Sequence, residues 1–275
     1  MHIVRFLDSG GNEQYGERLD DNTARLIEGD LFGDYSVTDK EAPIQKLLAP
    51  IVPVSILCIG LNYRFHAEES GAAMPEYPIL FIKAANTLQN PGDPVIVPRV
   101  EPDAVDYECE LAVVIGKEAK NVSEAEALSY VLGYTCANDV SGRDWQIKKG
   151  GGQWCRGKSF DTFFPLGPDL VSTDEITIPN DLKIKTVLNG EVMQDGTTSD
   201  MIFDVPKLIS FLSHSTTLLP GTVISTGTPQ GVGMARKPPV NVKSGDTMTI
   251  EIERIGSLTN PVAVSYTHLT LPTKA

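Results

Sequence analysis

One stretch limits the fold more than any other: Asp106-Tyr107-Glu108-Cys109-Glu110-Leu111-Ala112-Val113-Val114-Ile115-Gly116. Its apolar run is long enough to be a buried strand. Side chains two apart in a strand share a face, so Glu108 and Glu110 point the same way, roughly 7 Å apart at their Cα atoms. Two ionised carboxylates converging at the mouth of a buried run repel, so one takes up a proton or a cation sits between them. The alternative is a strand end whose acids face water. A second run, Tyr134-Thr135-Cys136-Ala137-Asn138-Asp139, reads as a strand that ends on a third carboxylate. Three carboxylates with no His or Cys partner make a hard oxygen site, suited to magnesium, manganese or calcium and poor for zinc.

The rest of the chain is strand-rich. Residues 1 to about 50 alternate short apolar stretches with turns at Ser9–Asn12, Glu28–Asp30 and Gly33-Asp34, and Met1–Phe6 reads as an opening strand. Pro43–Leu48 reads as one or two helical turns, and Pro50 and Pro53 bracket a linker. This places a small N-terminal domain at 1–52 and a larger second domain at 53–263. In the second part, Ser55–Gly60, Pro78–Lys83 and Val95–Val97 read as strands. Ser123–Tyr130, with Ser123 and Glu126 as a capping box, is the clearest helix, and Asp204–Leu212 is another, with Asp204 as cap and Pro206 in its first turn. Strands outnumber helices, and no Gly-x-Gly-x-x-Gly opens a helix after a strand, which counts against a dinucleotide fold.

Charge narrows the partners. Lys plus Arg number 23 against 36 Asp plus Glu, a net charge of −13, which argues against a nucleic-acid surface. A mean hydropathy of −0.08 without a long apolar run excludes a transmembrane helix. The N-terminus is too mixed for a signal peptide. Cys58, Cys109, Cys136 and Cys155 form no Cys-x-x-Cys pair and read as reduced thiols of a cytoplasmic protein.

Further residues suggest catalysis. In Gly60-Leu61-Asn62-Tyr63-Arg64-Phe65-His66-Ala67-Glu68-Glu69, His66 and Glu69 share a helical face, and an imidazole oriented by a carboxylate is a general base; the alternative is an exposed His in a polar helix. Arg143 and Gln146 are placed to bind a substrate carboxylate and Lys158 to neutralise charge, or Arg143 bridges Asp139 or Asp144. The glycines of Lys149–Gln153 mark a lid loop. Ser225–Gly233 is a glycine-rich turn that offers N–H groups and hydroxyls to an anion.

Five blocks in order resemble the fumarylacetoacetate hydrolase family: Gly-Leu-Asn-Tyr-x-x-His-Ala-x-Glu at 60–69, Asp-Tyr-Glu-x-Glu-Leu at 106–111, Asn-Asp-Val-Ser-x-Arg-Asp-x-Gln at 138–146, Lys-Ser-Phe-Asp-Thr-Phe at 158–163 and Thr-Gly-Thr-Pro-x-Gly-Val-Gly at 226–233. The Arg-Asp-Trp-Gln form at 143–146, with Gly-Gly-Gln-Trp at 151–154, is most similar to the fumarylacetoacetate hydrolase domain-containing proteins. The resemblance implies an α+β, β-rich fold, a mixed β-sandwich roll with a small N-terminal domain, in a homodimer. It implies Mg²⁺ or Mn²⁺ on Glu108, Glu110 and Asp139, Lys158 beside the metal and a His66–Glu69 dyad. Substrate contacts fall on Lys83, Arg143, Gln146 and Thr228. The sequence departs from the family at Gly142, where Ala is usual, and at Phe65, where a polar residue is usual.

The implied chemistry is metal-dependent action on a small 2-oxo or β-dicarbonyl carboxylic acid: C–C hydrolysis of an acylpyruvate, or decarboxylation or tautomerisation of oxaloacetate. A ureidoglycolate lyase is the alternative from the same fold, and an inactive ligand-binding homologue a more remote one. Residues 264–275 lie beyond the resemblance. Val-Ser-Tyr-Thr-His-Leu is also what one frame of a transposon end used in sequencing libraries encodes, so this segment reads as a non-native tail.

Overall fold

The strand Cys109–Ile115 is buried on both faces, and its side chains sort by alternation. Cys109, Leu111, Val113 and Ile115 enter one apolar cluster with Tyr134, Ile184, Leu208 and Ile250, while Ala112 and Val114 enter another with Cys58, Phe81, Ala137 and Phe164. Core on both sides is why the sequence here is a continuous apolar run.

The computed structural model describes residues 1–264. In it this strand lies inside a mixed sheet, ordered Tyr35–Pro43, Thr23–Gly29, Glu13–Arg18, His2–Leu7, Phe164–Ser172, Val131–Asn138, Cys109–Ile115, Thr222–Ser225, Ser55–Gly60 and Ile79–Lys83. Along this path the neighbours are antiparallel except Thr222–Ser225 and Ser55–Gly60, which run parallel. A second sheet joins Glu191–Thr197, Lys183–Leu188, Thr247–Ile252, Gly256–Val264 and Val95–Val97. Ile184, Ile250, Ile252 and Leu258 from this sheet share the first cluster with Leu111 and Val113, so the two sheets form a sandwich. The helix Val205–Ser215 closes the same core with Leu208, Ile209 and Leu212. The fold is β-rich with mixed sheets, as the resemblance implied. No helix among the described residues is long and apolar enough to cross a membrane.

Local readings fare unevenly. Asp204 caps its helix by accepting from the Lys207 N–H at 2.9 Å, and that helix runs on to Ser215. The expected helical turns at Pro43–Leu48 are instead a strand, Lys46–Leu48, because Arg5, Phe6 and Leu7 pair with Leu48, Leu47 and Lys46. The expected helix Ser123–Tyr130 shrinks to a 3₁₀ turn, Ala127–Tyr130. There the Ser123 hydroxyl bonds the Glu126 carboxylate at 2.7 Å rather than a helix N–H, and the strand Val131–Asn138 follows at once. In the expected linker Ile51 is buried, and just before it Ala49 is buried with its carbonyl accepting from Arg5. Val264, the first residue of the expected tail, pairs with Val97. Residues 265–275 lie outside the described residues.

Register gathers the site. Cys109 pairs with Asn138, Ala112 with Ser225 and Ser225 with Cys58. The start of Cys109–Ile115 and the ends of Val131–Asn138, Thr222–Ser225 and Ser55–Gly60 therefore open at one end of the sheet.

Candidate active site

Glu108, Glu110 and Asp139 meet at that end. Each offers a carboxylate oxygen within 4.8 Å of the others, and all three residues are buried. The backbone enforces this: the Asp139 N–H donates to the Glu108 carbonyl at 2.9 Å, and Asn138 Oδ1 accepts from the Glu108 N–H at 3.0 Å.

Two lysines hold the cluster from below. Lys158 Nζ donates to Glu108 Oε2 at 2.6 Å and to Asp139 Oδ2 at 2.7 Å. Lys83 Nζ donates to Asp139 Oδ1 at 2.5 Å and to the Val140 carbonyl at 3.0 Å. Lys83 was expected at the substrate, but its side chain is fully buried behind Asp139 and does not line the cleft. Burial works against ionisation of Glu108, yet the charges of Lys158 and Arg143 prevail and hold its carboxyl well below the usual range. Glu110 is different. Burial, with the charges of Asp139 and Glu108, pushes its carboxyl well above that range. It accepts from Ser225 Oγ at 2.5 Å and Gly227 N at 3.0 Å, but forms no ion pair among the described residues. An all-oxygen cluster with one uncompensated buried carboxylate fits a hard divalent cation.

Among the described residues Arg143 bridges neither Asp139 nor Asp144. Its Nε donates to Asp106 Oδ2 at 2.8 Å, and Nη1 reaches Glu108 Oε1 at 2.7 Å and Gln146 Oε1 at 2.9 Å. Asp106 also accepts from Gly233 N at 2.8 Å and Met234 N at 3.0 Å. The glycine-rich turn does bind anions, but they are the protein's own. Gly227 N serves Glu110, Gly231 N serves Glu69, and Gly233 N serves Asp106.

The dyad stands opposite. His66 and Glu69 lie on the helix Arg64–Glu69, with Nδ1 2.7 Å from Oε1. An ionised carboxylate only accepts, so Nδ1 carries the proton and Nε2 is left as the base. Between the two halves lies a cleft of about 190 Å³, lined by His66, Glu108, Glu110, Arg143, Gln146, Lys158 and Thr228 and walled by Phe81 and Trp154. Thr228 lines the cleft, and its Oγ1 accepts from Gln194 Nε2 at 2.8 Å.

Comparison with known proteins bears on this geometry. The family model "Fumarylacetoacetate (FAA) hydrolase C-terminal" matches residues 55–263, three quarters of the chain, and "Rv2993c-like, N-terminal" matches 1–50. The chain belongs to the fumarylacetoacetate hydrolase family. It is 51% identical over 238 residues to a fumarylacetoacetate hydrolase domain-containing protein 2 homolog of Dictyostelium discoideum, covering 82% of this chain and 78% of the relative. It is 50% identical over 217 residues to the mitochondrial oxaloacetate tautomerase fahd2 of Xenopus laevis, covering 78% and 68%. Among solved structures, a 2-hydroxyhepta-2,4-diene-1,7-dioate isomerase from Mycobacterium marinum superposes with a TM-score of 0.83 at 40% identity, over 96% of this chain and 99% of that one.

The two departures from the family pattern differ in consequence. A Cβ at Gly142 would lie 3.0 Å from the Phe160 ring and 3.1 Å from Glu101 Cγ, so the usual alanine of this fumarylacetoacetate hydrolase fold would need those side chains to give by a few tenths of an ångström. Phe65 is 54% exposed and does not line the cleft. Sequence reasoning gave Asp106 no role, although it stands in the same alternation as Glu108 and Glu110 and that signal was available. Trp154 was quoted only as part of a family pattern, and nothing local shows that it meets Gly60 and Phe81.

Proposed function

We propose that the protein is a Mg²⁺- or Mn²⁺-dependent enzyme acting on a small 2-oxo or β-dicarbonyl carboxylic acid. It hydrolyses the C–C bond of an acylpyruvate, or tautomerises or decarboxylates oxaloacetate. One observation carries this reading: the oxygen cluster of Glu108, Glu110 and Asp139 faces the His66–Glu69 dyad across one small cleft. The cleft is below the ~300–1,000 Å³ of drug-sized sites, in keeping with a small acid. Such a cation, when bound, supplies Lewis-acid stabilisation of negative charge developing on a substrate oxygen.

The remaining work falls to the chain. His66 takes a proton at Nε2, from water for hydrolysis or from the carbon beside the carbonyl for tautomerisation, while Glu69 stabilises the imidazolium. Arg143 and Gln146 receive the substrate carboxylate, and the Thr228 hydroxyl donates to a substrate oxygen. Lys158 keeps Glu108 ionised and orients both Glu108 and Asp139, and Lys83 fixes Asp139 from behind. The names of the Xenopus and Mycobacterium relatives favour the proton-transfer branch. They lend nothing to a ureidoglycolate lyase, and the assembled dyad argues against an inactive binding homologue.

We further place the protein as a homodimer, supported by the edge strand Ile79–Lys83, where Ile79, Leu80 and Ile82 are exposed. The division at residue 52 is supported by the two family matches. Four free cysteines, three of them buried, suit the reducing cytoplasm, although the Xenopus relative is named mitochondrial. The test is turnover by purified protein, with Mg²⁺ or Mn²⁺, of oxaloacetate, acetylpyruvate, fumarylpyruvate and ureidoglycolate. Conversion of a 2-oxo acid is expected; turnover of none, or of ureidoglycolate alone, overturns the reading.

A further inference from the structure

We infer that the cleft selects substrates whose arm beyond the reacting carbonyls is short and uncharged, and that the wall formed by Trp154 and Phe81 sets this preference. The inference rests on the 2-oxo acid chemistry proposed above and specifies its substrate class.

Charge is the first argument. Arg143 and Lys158 are the Lys and Arg side chains that line the cleft, and each is already held by two carboxylates: Asp106 and Glu108 for Arg143, Glu108 and Asp139 for Lys158. Around the floor, the four carboxylates Asp106, Glu108, Glu110 and Asp139 face three cations, Lys83, Arg143 and Lys158. A divalent cation leaves a surplus of one positive charge, which one carboxylate at the reacting end neutralises. A second carboxylate on a distal arm would be desolvated without a counter-charge, and that is unfavourable.

The walls are the second argument. Away from the floor the apolar lining is Ile59, Leu61, Phe81 and Trp154, with Ile147 and Met234 at the mouth, 49% and 42% exposed, and Ser70 and His66 are the polar side chains on that side. Gly60 makes this wall possible: a Cβ there would lie 2.1 Å from Trp154 Cζ3, so the indole lies directly on the end of the strand Ser55–Gly60. Phe81 meets the indole edge-on, with ring centroids 5.5 Å apart. The indole thus narrows an apolar passage. Oxaloacetate carries its second carboxylate on the reacting carbons and not on a distal arm, so the apolar wall does not select against it, while the surplus of one positive charge favours a mono-acid such as acetylpyruvate. The dioate named for the Mycobacterium marinum isomerase carries a carboxylate at its far end, and this chain is expected to disfavour that kind of substrate.

Calorimetry on the Mg²⁺-loaded protein tests this with 2-oxohexanoate and 2-oxoadipate, equal in length and differing only in a terminal methyl against a carboxylate. The expected Kd for 2-oxohexanoate is lower by about tenfold or more. Ile147→Lys, which puts a cation at the exposed mouth, is expected to bring the two Kd values together or reverse them. Trp154→Ala should tighten binding of 2-oxodecanoate, whose longer arm needs the space. Equal or tighter binding of 2-oxoadipate by the wild type overturns the inference and leaves the proposed function standing if oxo acids turn over. Binding of neither acid, with no oxo-acid turnover, overturns both.

Discussion

The backbone N–H of Gly231 donates to both carboxylate oxygens of Glu69, at 3.0 and 2.9 Å. The same carboxylate holds His66 Nδ1, so the glycine-rich turn orients the base through an intermediary. Tyr107 Oη donates to the Gly231 carbonyl at 3.1 Å, and the Gly231 residue is thereby held from both sides. The strand region that carries Glu108 is in this way joined mechanically to the dyad facing it.

Replacing the base separates the two halves of the site. His66→Ala is expected to reduce hydrolysis of an acylpyruvate by ~10²–10⁴, the usual worth of a positioned proton acceptor. Mg²⁺ affinity should stay as in the wild type, because the oxygen cluster does not include His66. Kinetics paired with calorimetry would check both halves, and a wild-type rate would remove the dyad from the mechanism.

Gly231→Ala should damage catalysis and stability together. The residue has φ +94°, in the left-handed region, and a Cβ there would lie 2.4 Å from the Met193 carbonyl. The strain is worth about 1–3 kcal/mol, and a shifted N–H would release Glu69. Gly190→Ala is the control: φ is +85°, but nothing lies within 4 Å. Both variants should melt earlier than the wild type, and only Gly231→Ala should lose kcat. Equal kcat in the two would show that Gly231 has no positioning role.

Two members of the oxygen cluster should respond oppositely to neutralisation. Asp139→Asn leaves the buried Lys83 and Lys158 short of their shared partner, and loss of about 3–5 kcal/mol is expected. Glu110→Gln relieves repulsion and keeps an oxygen for Ser225 and Gly227, so the metal-free protein should be no less stable than the wild type. Both variants should lose Mg²⁺ binding by calorimetry, with urea unfolding giving the stabilities. Unchanged Mg²⁺ affinity would move the metal elsewhere.

Asn62 bolts the base of the dyad helix to the core. It is fully buried; Nδ2 donates to the Phe203 carbonyl at 3.0 Å and the Thr226 carbonyl at 2.7 Å, and Oδ1 accepts from the Phe203 N–H at 2.9 Å. Asn62→Ala leaves three buried backbone groups unpaired and should lower unfolding free energy by about 3 kcal/mol. A urea midpoint within error of wild type would contradict this account.

What was legible in the sequence is what depends on near neighbours. Alternation put Glu108 and Glu110 on one face, the i, i+3 spacing put His66 beside Glu69, and Asp204 announced its helix, because each relation is set by backbone geometry over a few residues. Where local preference was weak, tertiary pairing prevailed: Lys46–Leu48 became a strand by docking on His2–Leu7, and Ser123–Glu126 closed only a turn. Which charges meet was likewise decided by sheet order. Asp106 and Gly233 are 127 positions apart and Lys83 and Asp139 are 56 apart, yet both pairs are hydrogen-bonded. A buried charge must find a partner, and the sequence alone shows that need; only the stacking of strand ends decides that Arg143 answers Asp106 and Glu108, that Lys83 lies behind Asp139, and that Trp154 rests on Gly60.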